Sequence, residues 1–133
     1  MGNEKTVRIG IIGCGGIANG KHMPSLRQIP GVQMVAFCDI IEERARKAKQ
    51  DYGTPDAAVY TDYRKLLEDK TIDVVHVCTP NRAHSFITVD ALHAGKHVMC
   101  EKPMAINAAE AKKMLDAAKE TGKLLTIGYQ SRQ

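Results

Sequence analysis

A run of apolar and β-branched residues near the start of the chain ends directly in a glycine-rich turn. The run is Val7-Arg8-Ile9-Gly10-Ile11-Ile12, and the turn begins Gly13-Cys14-Gly15-Gly16. Such a run predicts a buried strand. Gly13-x-Gly15-x-x-Ala18 fits the G-x-G-x-x-G/A pattern of strand–turn–helix units that bind dinucleotides. This combination limits the chain to a small set of α/β folds.

Each small residue of the turn has a physical role. Gly13 permits the tight turn out of the strand, and Gly15 lets a pyrophosphate approach the backbone. Ala18 is small enough for the helix to lie close to the strand. Gly16 and Ile17 open that helix, whose free N–H groups favour phosphate. We predict that these five residues contact a dinucleotide.

Asp39 ends a second apolar run, Val32 to Cys38, about 20 residues beyond Ala18. The fingerprint places there an acid that binds the ribose hydroxyls. A carboxylate at this position would repel a 2′-phosphate, and the next residues, Ile40 and Ile41, carry no charge to offset it. NAD is therefore expected rather than NADP. The alternative is that Asp39 only caps the helix that follows.

Short apolar runs alternate with amphipathic stretches along the rest of the chain. Strands are predicted at 7–12, 32–38, 59–61, within 73–78, at 96–100 and at 124–127. Helices are predicted at 16–29, 42–52, 63–69, 82–93 and after Asn107. Near-continuous apolar strands separated by helices indicate a parallel sheet covered on both faces. The predicted fold class is α/β, a doubly wound parallel sheet of strand order 3-2-1-4-5-6.

The last predicted helix carries the clearest end signals. Asn107 and Glu110 form a capping-box pattern, and Gly122 is placed to end the helix. Ala111, Met114, Leu115 and Ala118 are predicted to share its buried face.

Polar residues also follow the fourth and fifth predicted strands, at the edge where open α/β sheets bind ligands. Thr79, Pro80, Asn81 and His84 follow the fourth strand, and Glu101, Lys102 and Pro103 follow the fifth. A lysine in a cleft can orient a substrate hydroxyl and lower its pKa. The alternatives are local capping by Asn81 and His84 and an exposed Glu-Lys turn.

The bulk composition argues against several other classes. The net charge is +4 without a basic block, and there is no Trp, so no nucleic-acid partner is expected. There is no 18-residue apolar run, and Met1 to Lys5 lacks the core of a signal peptide, so we expect a cytoplasmic protein that does not enter a membrane. The four cysteines form no C-x-x-C pair or zinc pattern. They are predicted to be reduced, small apolar side chains.

Together these residues resemble one family. The Gly13–Ala18 turn, Asp39, Thr79-Pro80-Asn81 with His84, and Glu101-Lys102-Pro103 are similar to motifs of the Gfo/Idh/MocA oxidoreductases. The similarity runs from Val7 to about Arg132. It implies a Rossmann domain, residues 1–133, from a nicotinamide-dependent dehydrogenase that acts on sugars, inositols or related polyols.

The resemblance also implies roles for individual residues. Lys102 would lie near the nicotinamide and the substrate hydroxyl and contribute to catalysis, and Pro103 would shape the turn beside it. Thr79, Pro80 and Asn81 would line the cofactor cleft, with His84 as a secondary contact. Glu101 and Gln130 would join the cofactor-binding set, and Arg132 is a weaker candidate.

Family members carry a second domain that supplies most of the substrate pocket, the subunit interface and further catalytic groups. We expect that domain to be absent from this chain, so the domain alone would bind NAD without turnover. The full-length protein would be a homo-oligomer. Two alternatives remain: a non-catalytic dinucleotide sensor of the same family, and a methyltransferase or CoA-binding domain, which does not explain Glu101-Lys102-Pro103.

Overall fold

A computed structural model describes residues 6–14, 26, 28–78, 81–101 and 108–128. Its strands form one six-stranded sheet in the order β3-β2-β1-β4-β5-β6. They are β1 (Val7–Ile12), β2 (Val32–Cys38), β3 (Ala58–Tyr60), β4 (Val74–Val77), β5 (His97–Glu101) and β6 (Leu125–Gly128). Every neighbouring pair is parallel. The predicted Rossmann-like topology is confirmed.

The described helices connect these strands as the crossovers of a parallel sheet require. They are α1 (Glu42–Tyr52), α2 (Tyr63–Leu67), α3 (Asn81–His93) and α4 (Ala108–Thr121). Asp62 caps α2, because its side chain accepts a hydrogen bond from Arg64 N at 3.0 Å. Gly122 ends α4 and donates its N–H to the carbonyl of Ala118.

Side chains alternate between two buried clusters, one on each face of the sheet. Ile9 and Ile11 of β1 join Phe37 of β2 and the buried alanines of α1 on one face. On the other face, Ile12 joins residues from α2, α3 and α4 in a larger cluster. Both faces of the central strands are therefore covered, as the continuous apolar runs predicted.

Some predicted boundaries and one predicted face are wrong. Residues 28–31 form a turn, so the helix predicted at 16–29 ends before residue 28. Leu26 is helical, and residues 16–25 and 27 lie outside the described residues. The third, fifth and sixth strands each shift by one residue from prediction, and the helix predicted at 63–69 ends at Leu67. Leu115 is 59% exposed, and Met114 and Ala117 are the buried residues of α4. Successive residues of a helix point about 100° apart, so Leu115 points away from the narrow buried face that holds Met114 and Ala117.

The carboxyl ends of the central strands meet at one edge of the sheet, here called the carboxyl edge. Ile12 of β1 pairs with Cys38 of β2 and with Val77 of β4, and Val77 pairs with Cys100 of β5. The first residues after these strands must therefore lie side by side. This pairing brings Gly13 and Asp39 together.

Candidate functional site

Gly13 makes the first turn of the carboxyl edge. Its φ angle is +95°, in the region that disfavours every residue with a Cβ. Its N–H donates to the carbonyl of Cys38 at 2.8 Å, which fixes the exit of β1 against the end of β2. Because this N–H is already used, Gly13 serves to turn the chain rather than to donate to a ligand.

Asp39 lies next to that turn and is almost fully buried, at 8% exposure. Its Oδ2 accepts a hydrogen bond from Cys14 N at 2.9 Å, and its Oδ1 accepts one from Ile41 N at 2.8 Å. The two backbone donors fix the carboxylate in one orientation. Since each carboxylate oxygen can accept two hydrogen bonds, each retains one acceptor position.

The alternative reading of Asp39 as the cap of α1 is wrong. The residue that precedes α1 is Ile41, which makes no side-chain capping bond. Asp39 lies two residues farther back and binds the backbone of the glycine-rich turn instead. Its main structural contact is therefore across strands, from β2 to β1.

The two cysteines beside Asp39 are neutral thiols. Cys14 is fully buried and Cys38 is 3% exposed. Burial, followed by the nearby Asp39 carboxylate, raises the pKa of each thiol to about 12. A neutral buried thiol is neither a nucleophile nor a metal ligand at physiological pH. The prediction that these cysteines pack as small apolar side chains agrees with this environment.

Apolar side chains flank Asp39 on the solvent side. Ile40 is 88% exposed and Ile41 is 43% exposed, which is unusual for two adjacent large hydrophobic residues. Arg44, in the first turn of α1, is exposed as well. The Asp39 carboxylate is therefore next to exposed apolar side chains, and the cation that follows them in sequence is Arg44 in the first turn of α1.

The other predicted site residues are only partly within the described ranges. Asn81 is the first residue of α3 and His84 lies in its first turn, as predicted for His84. α3 thus begins one residue before the start predicted at residue 82. Glu101 is the last residue of β5 and pairs with Gly128 of β6. These backbone positions belong to the carboxyl edge.

The remaining predicted site residues lie outside the described residues. They are Gly15, Gly16, Ile17, Ala18, Thr79, Pro80, Lys102, Pro103, Gln130 and the weaker candidate Arg132. Their roles stay predictions.

Sequence reasoning missed the two backbone partners of Asp39. The N–H groups of Cys14 and Ile41 hold its carboxylate, but a motif that names side chains does not point to backbone donors. One signal was available. The predicted strand order places β1 and β2 side by side, so the residues after them had to meet.

The described part of the carboxyl edge fits a dinucleotide. A positive-φ glycine leads the chain away from β1, and a fixed carboxylate with spare acceptor positions suits two vicinal ribose hydroxyls. Within the described ranges, no group of three or more His, Cys, Asp or Glu side chains is arranged to hold a metal ion. Among the described helices, none has the length and apolar character to cross a membrane.

Comparison with known proteins agrees with this geometry. A family model described as an oxidoreductase family with an NAD-binding Rossmann fold matches residues 7–129. Inositol 2-dehydrogenase of Salmonella typhimurium is 38% identical over 128 residues, which cover 96% of this chain and 38% of that protein. Myo-inositol 2-dehydrogenase of Thermotoga maritima is 35% identical over 126 residues, or 95% of this chain and 37% of that protein.

Solved structures give the same result. A 3-ketoreductase from Actinomadura kijaniata, in complex with NADP and TDP-benzene, matches with a TM-score of 0.86 at 31% identity, covering 93% of this chain and 37% of that one. The chain thus spans under two-fifths of the length of the relatives described here. It belongs to the Gfo/Idh/MocA oxidoreductase family and matches that family's NAD-binding Rossmann domain over residues 7–129.

Proposed function

We propose that this chain is the cofactor domain of a dehydrogenase that oxidises a hydroxyl group of a sugar, inositol or related polyol. The observation that carries the proposal is the fixed carboxylate of Asp39 beside the Gly13 turn. A carboxylate held by two backbone N–H groups needs no rearrangement before it binds ribose hydroxyls. Prior ordering of this kind lowers the entropic cost of binding.

NAD is proposed as the preferred cofactor. A 2′-phosphate would meet the Asp39 carboxylate, and like charges at short range repel each other strongly in a buried setting. The exposed side chains of Ile40 and Ile41 offer apolar surface and no compensating charge. The A. kijaniata relative was solved with NADP, so cofactor choice varies among similar structures and requires a direct measurement.

Lys102 is proposed as the catalytic residue of this chain, by resemblance to the family's Glu-Lys-Pro motif. The nicotinamide supplies hydride transfer when it is bound. The Lys102 ammonium would donate a hydrogen bond to the substrate hydroxyl and lower the pKa of that hydroxyl. The hydroxyl proton would then pass to a base, which the resemblance assigns to the second domain. Thr79, Pro80, Asn81, His84 and Gln130 are proposed to line the cofactor cleft.

Calorimetric titration of the 133-residue chain with NAD and with NADP tests the cofactor proposal. We expect saturable binding of NAD, weaker binding of NADP and no turnover of any polyol. Absence of binding by either dinucleotide would contradict the proposal.

The catalytic proposal needs the complete protein and the Lys102→Ala variant. A large loss of turnover with NAD affinity retained supports Lys102 as catalytic. If the complete protein binds NAD but oxidises no sugar or polyol, the dinucleotide-sensor alternative is favoured instead.

A further inference from the structure

A concave site lies at the edge of the sheet opposite the carboxyl edge, where β4, β5 and β6 begin. It is a groove of about 590 Å³ whose polar lining includes Lys70, Lys96, His97 and Lys123 together with one acid, Asp73. This volume is within the range of small-molecule sites. We call it the amino-edge groove. It is separated from Gly13 and Asp39 by the length of the strands, so a dinucleotide bound at the carboxyl edge would not occupy it.

Each of three successive helix-to-strand connections contributes one lysine to the groove. Lys70 precedes β4, Lys96 precedes β5, and Lys123 precedes β6. Because the strands are adjacent and parallel, their preceding turns meet at one edge. All three lysines line the same groove, so their charges belong to one surface.

Lys96 is the most unusual of the three. It is only 3% exposed, and its Nζ donates to the carbonyl of Asp69 at 2.6 Å. An ammonium group has three donors, so two remain after this bond. Burial lowers the pKa of Lys96, the carboxylates of Asp69 and Asp73 oppose that effect, and Lys70 and Lys123 add to it. The Asp69 and Asp73 carboxylates therefore offset part of the cost of burying this charge.

The acids near the groove are engaged by neutral donors. Asp69 Oδ1 accepts hydrogen bonds from the backbone N–H and the hydroxyl of Thr71. Asp73 Oδ2 accepts one from Arg8 N at 3.0 Å. In the described part of the chain, neither Lys70 nor Lys123 forms an ion pair with these carboxylates. By contrast, exposed cations on α1 and α4 pair with carboxylates four residues away.

His97 adds a neutral donor to the groove. The backbone N–H of Leu124 donates to His97 Nδ1 at 3.0 Å. Nδ1 therefore carries the lone pair, and the ring proton of the neutral form is on Nε2. A ring N–H together with three ammonium groups forms a donor-rich concave surface. Among the described lining residues, three lysines against one carboxylate, Asp73, leave a net positive charge, and a net positive concavity attracts anions.

We propose that the amino-edge groove binds a small phosphorylated ligand through a di- or polyphosphate group. Lys70 and Lys123 would contact the phosphoryl oxygens, His97 Nε2–H would donate to them, and Lys96 would supply a sheltered charge at the wall. The site is independent of the dinucleotide site, since it uses none of the residues of the carboxyl edge.

Inorganic pyrophosphate is the probe for the test, with amide chemical shifts of the 133-residue chain as the readout. We expect saturable shifts at Gly95, Lys96 and His97 at constant ionic strength. The double variant Lys70→Glu/Lys123→Glu should weaken this binding by roughly tenfold or more, because two attractive charges become repulsive. The single changes Lys70→Ala and Lys123→Ala should each weaken it less and provide readouts if the double variant unfolds.

The matched control reverses two exposed lysines away from the groove, Lys65→Glu/Lys113→Glu, and has the same net charge. It should bind pyrophosphate at the amino edge as the unaltered chain does. Equal weakening in both double variants would mean that only overall charge matters and would overturn the proposal. Shifts confined to Gly13 and Cys14, or shifts reproduced by chloride at the same ionic strength, would overturn it as well.

Discussion

The Asp39 carboxylate accepts a hydrogen bond from the backbone N–H of Cys14 at 2.9 Å, and this bond ties the end of β2 to the turn that leaves β1. The bond is buried, so it is poorly screened by water and a lost partner would be costly. Asp39 is therefore both a structural link between β2 and the turn after β1 and the proposed ribose ligand. Substitutions at this residue should change stability and cofactor binding together.

Asp39→Asn is the sharpest test of that double role. The Asn side chain replaces one acceptor oxygen by an NH₂ group, so a donor would face the N–H of Cys14 or of Ile41. We expect a loss of about 1–3 kcal/mol in the free energy of unfolding and at least a tenfold loss of NAD affinity. Urea denaturation and calorimetry measure the two effects. Asp51→Asn, which removes an exposed ion pair with Lys47, should leave NAD affinity intact. Unchanged NAD binding by Asp39→Asn would contradict the proposed ribose contact.

Gly13→Ala separates backbone strain from cofactor binding. The φ angle of +95° should cost an alanine about 1–2 kcal/mol of stability. The strained turn would also move the glycine-rich loop, so NAD affinity should fall. Gly95→Ala is the matched control, because Gly95 has a φ of +87° and open space around a new Cβ at the opposite edge. It should lose similar stability and keep NAD affinity. Equal NAD affinity in the two variants would argue against a role for the Gly13 turn.

The fold could be predicted because its signals are local. Runs such as Val32 to Cys38 specify buried strands, and the helices between them leave a parallel sheet as the natural arrangement. Leu115 was placed wrongly, because apolar character alone does not reveal how wide the buried stripe of a helix is.

The contacts within the sites were harder to predict. The bond from Cys14 N to Asp39 depends on the register between two strands, which no single motif contains. The amino-edge groove depends on three connections that are far apart in sequence, at Lys70, Lys96 and Lys123. Each lysine alone looks like an ordinary surface residue, and only the order of the strands brings them together.

Ile40→Arg should shift cofactor preference toward NADP. Ile40 is 88% exposed and follows Asp39 directly, so an arginine there can reach a 2′-phosphate without disturbing the core. A guanidinium pairs with phosphate through two parallel hydrogen bonds. We expect the ratio of NAD affinity to NADP affinity to fall by roughly tenfold, as measured by calorimetry. Ile29→Arg adds the same charge at a 48% exposed position beside the amino end of β2. A similar shift in that control would show that only net charge matters.

The buried thiols should make the domain sensitive to alkaline pH. The ordinary thiol pKa is 9.0, and burial raises the pKa of Cys14 to about 12 in the folded chain. Above pH 9 the unfolded thiol loses its proton while the folded one keeps it, so the unfolded state is favoured as pH rises. The free energy of unfolding should therefore fall, as pH rises above 9, by about 1.4 kcal/mol per pH unit for each such thiol.

Cys14→Ala tests this dependence through urea denaturation between pH 8 and pH 10. The variant should lose some stability at every pH, because a buried group is removed. Its free energy of unfolding should decline less steeply with pH than that of the unaltered chain, and the difference should equal the contribution of one thiol. Parallel pH profiles for the two proteins would mean that Cys14 titrates alike in the folded and unfolded states.

Gly53→Ala should destabilise the core by overpacking rather than by backbone strain. Gly53 has a φ of −83°, which alanine adopts readily. A Cβ there would lie 2.6 Å from Cε2 of Phe37 and 3.0 Å from the carbonyl oxygen of Lys49. Phe37 is fully buried and cannot move away freely. We expect a loss of about 1–3 kcal/mol in the free energy of unfolding.

A double-mutant cycle with Phe37→Leu identifies the clash as the cause. Phe37→Leu alone should destabilise the chain, because it leaves a cavity among the side chains between the sheet and α1. In the Gly53→Ala background the same change should cost clearly less, since the smaller side chain makes room for the new Cβ. The two effects would then couple by about 0.5–3 kcal/mol. Additive losses would assign the effect of Gly53→Ala to the C-terminal end of α1, where the Gly53 N–H donates to Lys49 O at 2.9 Å.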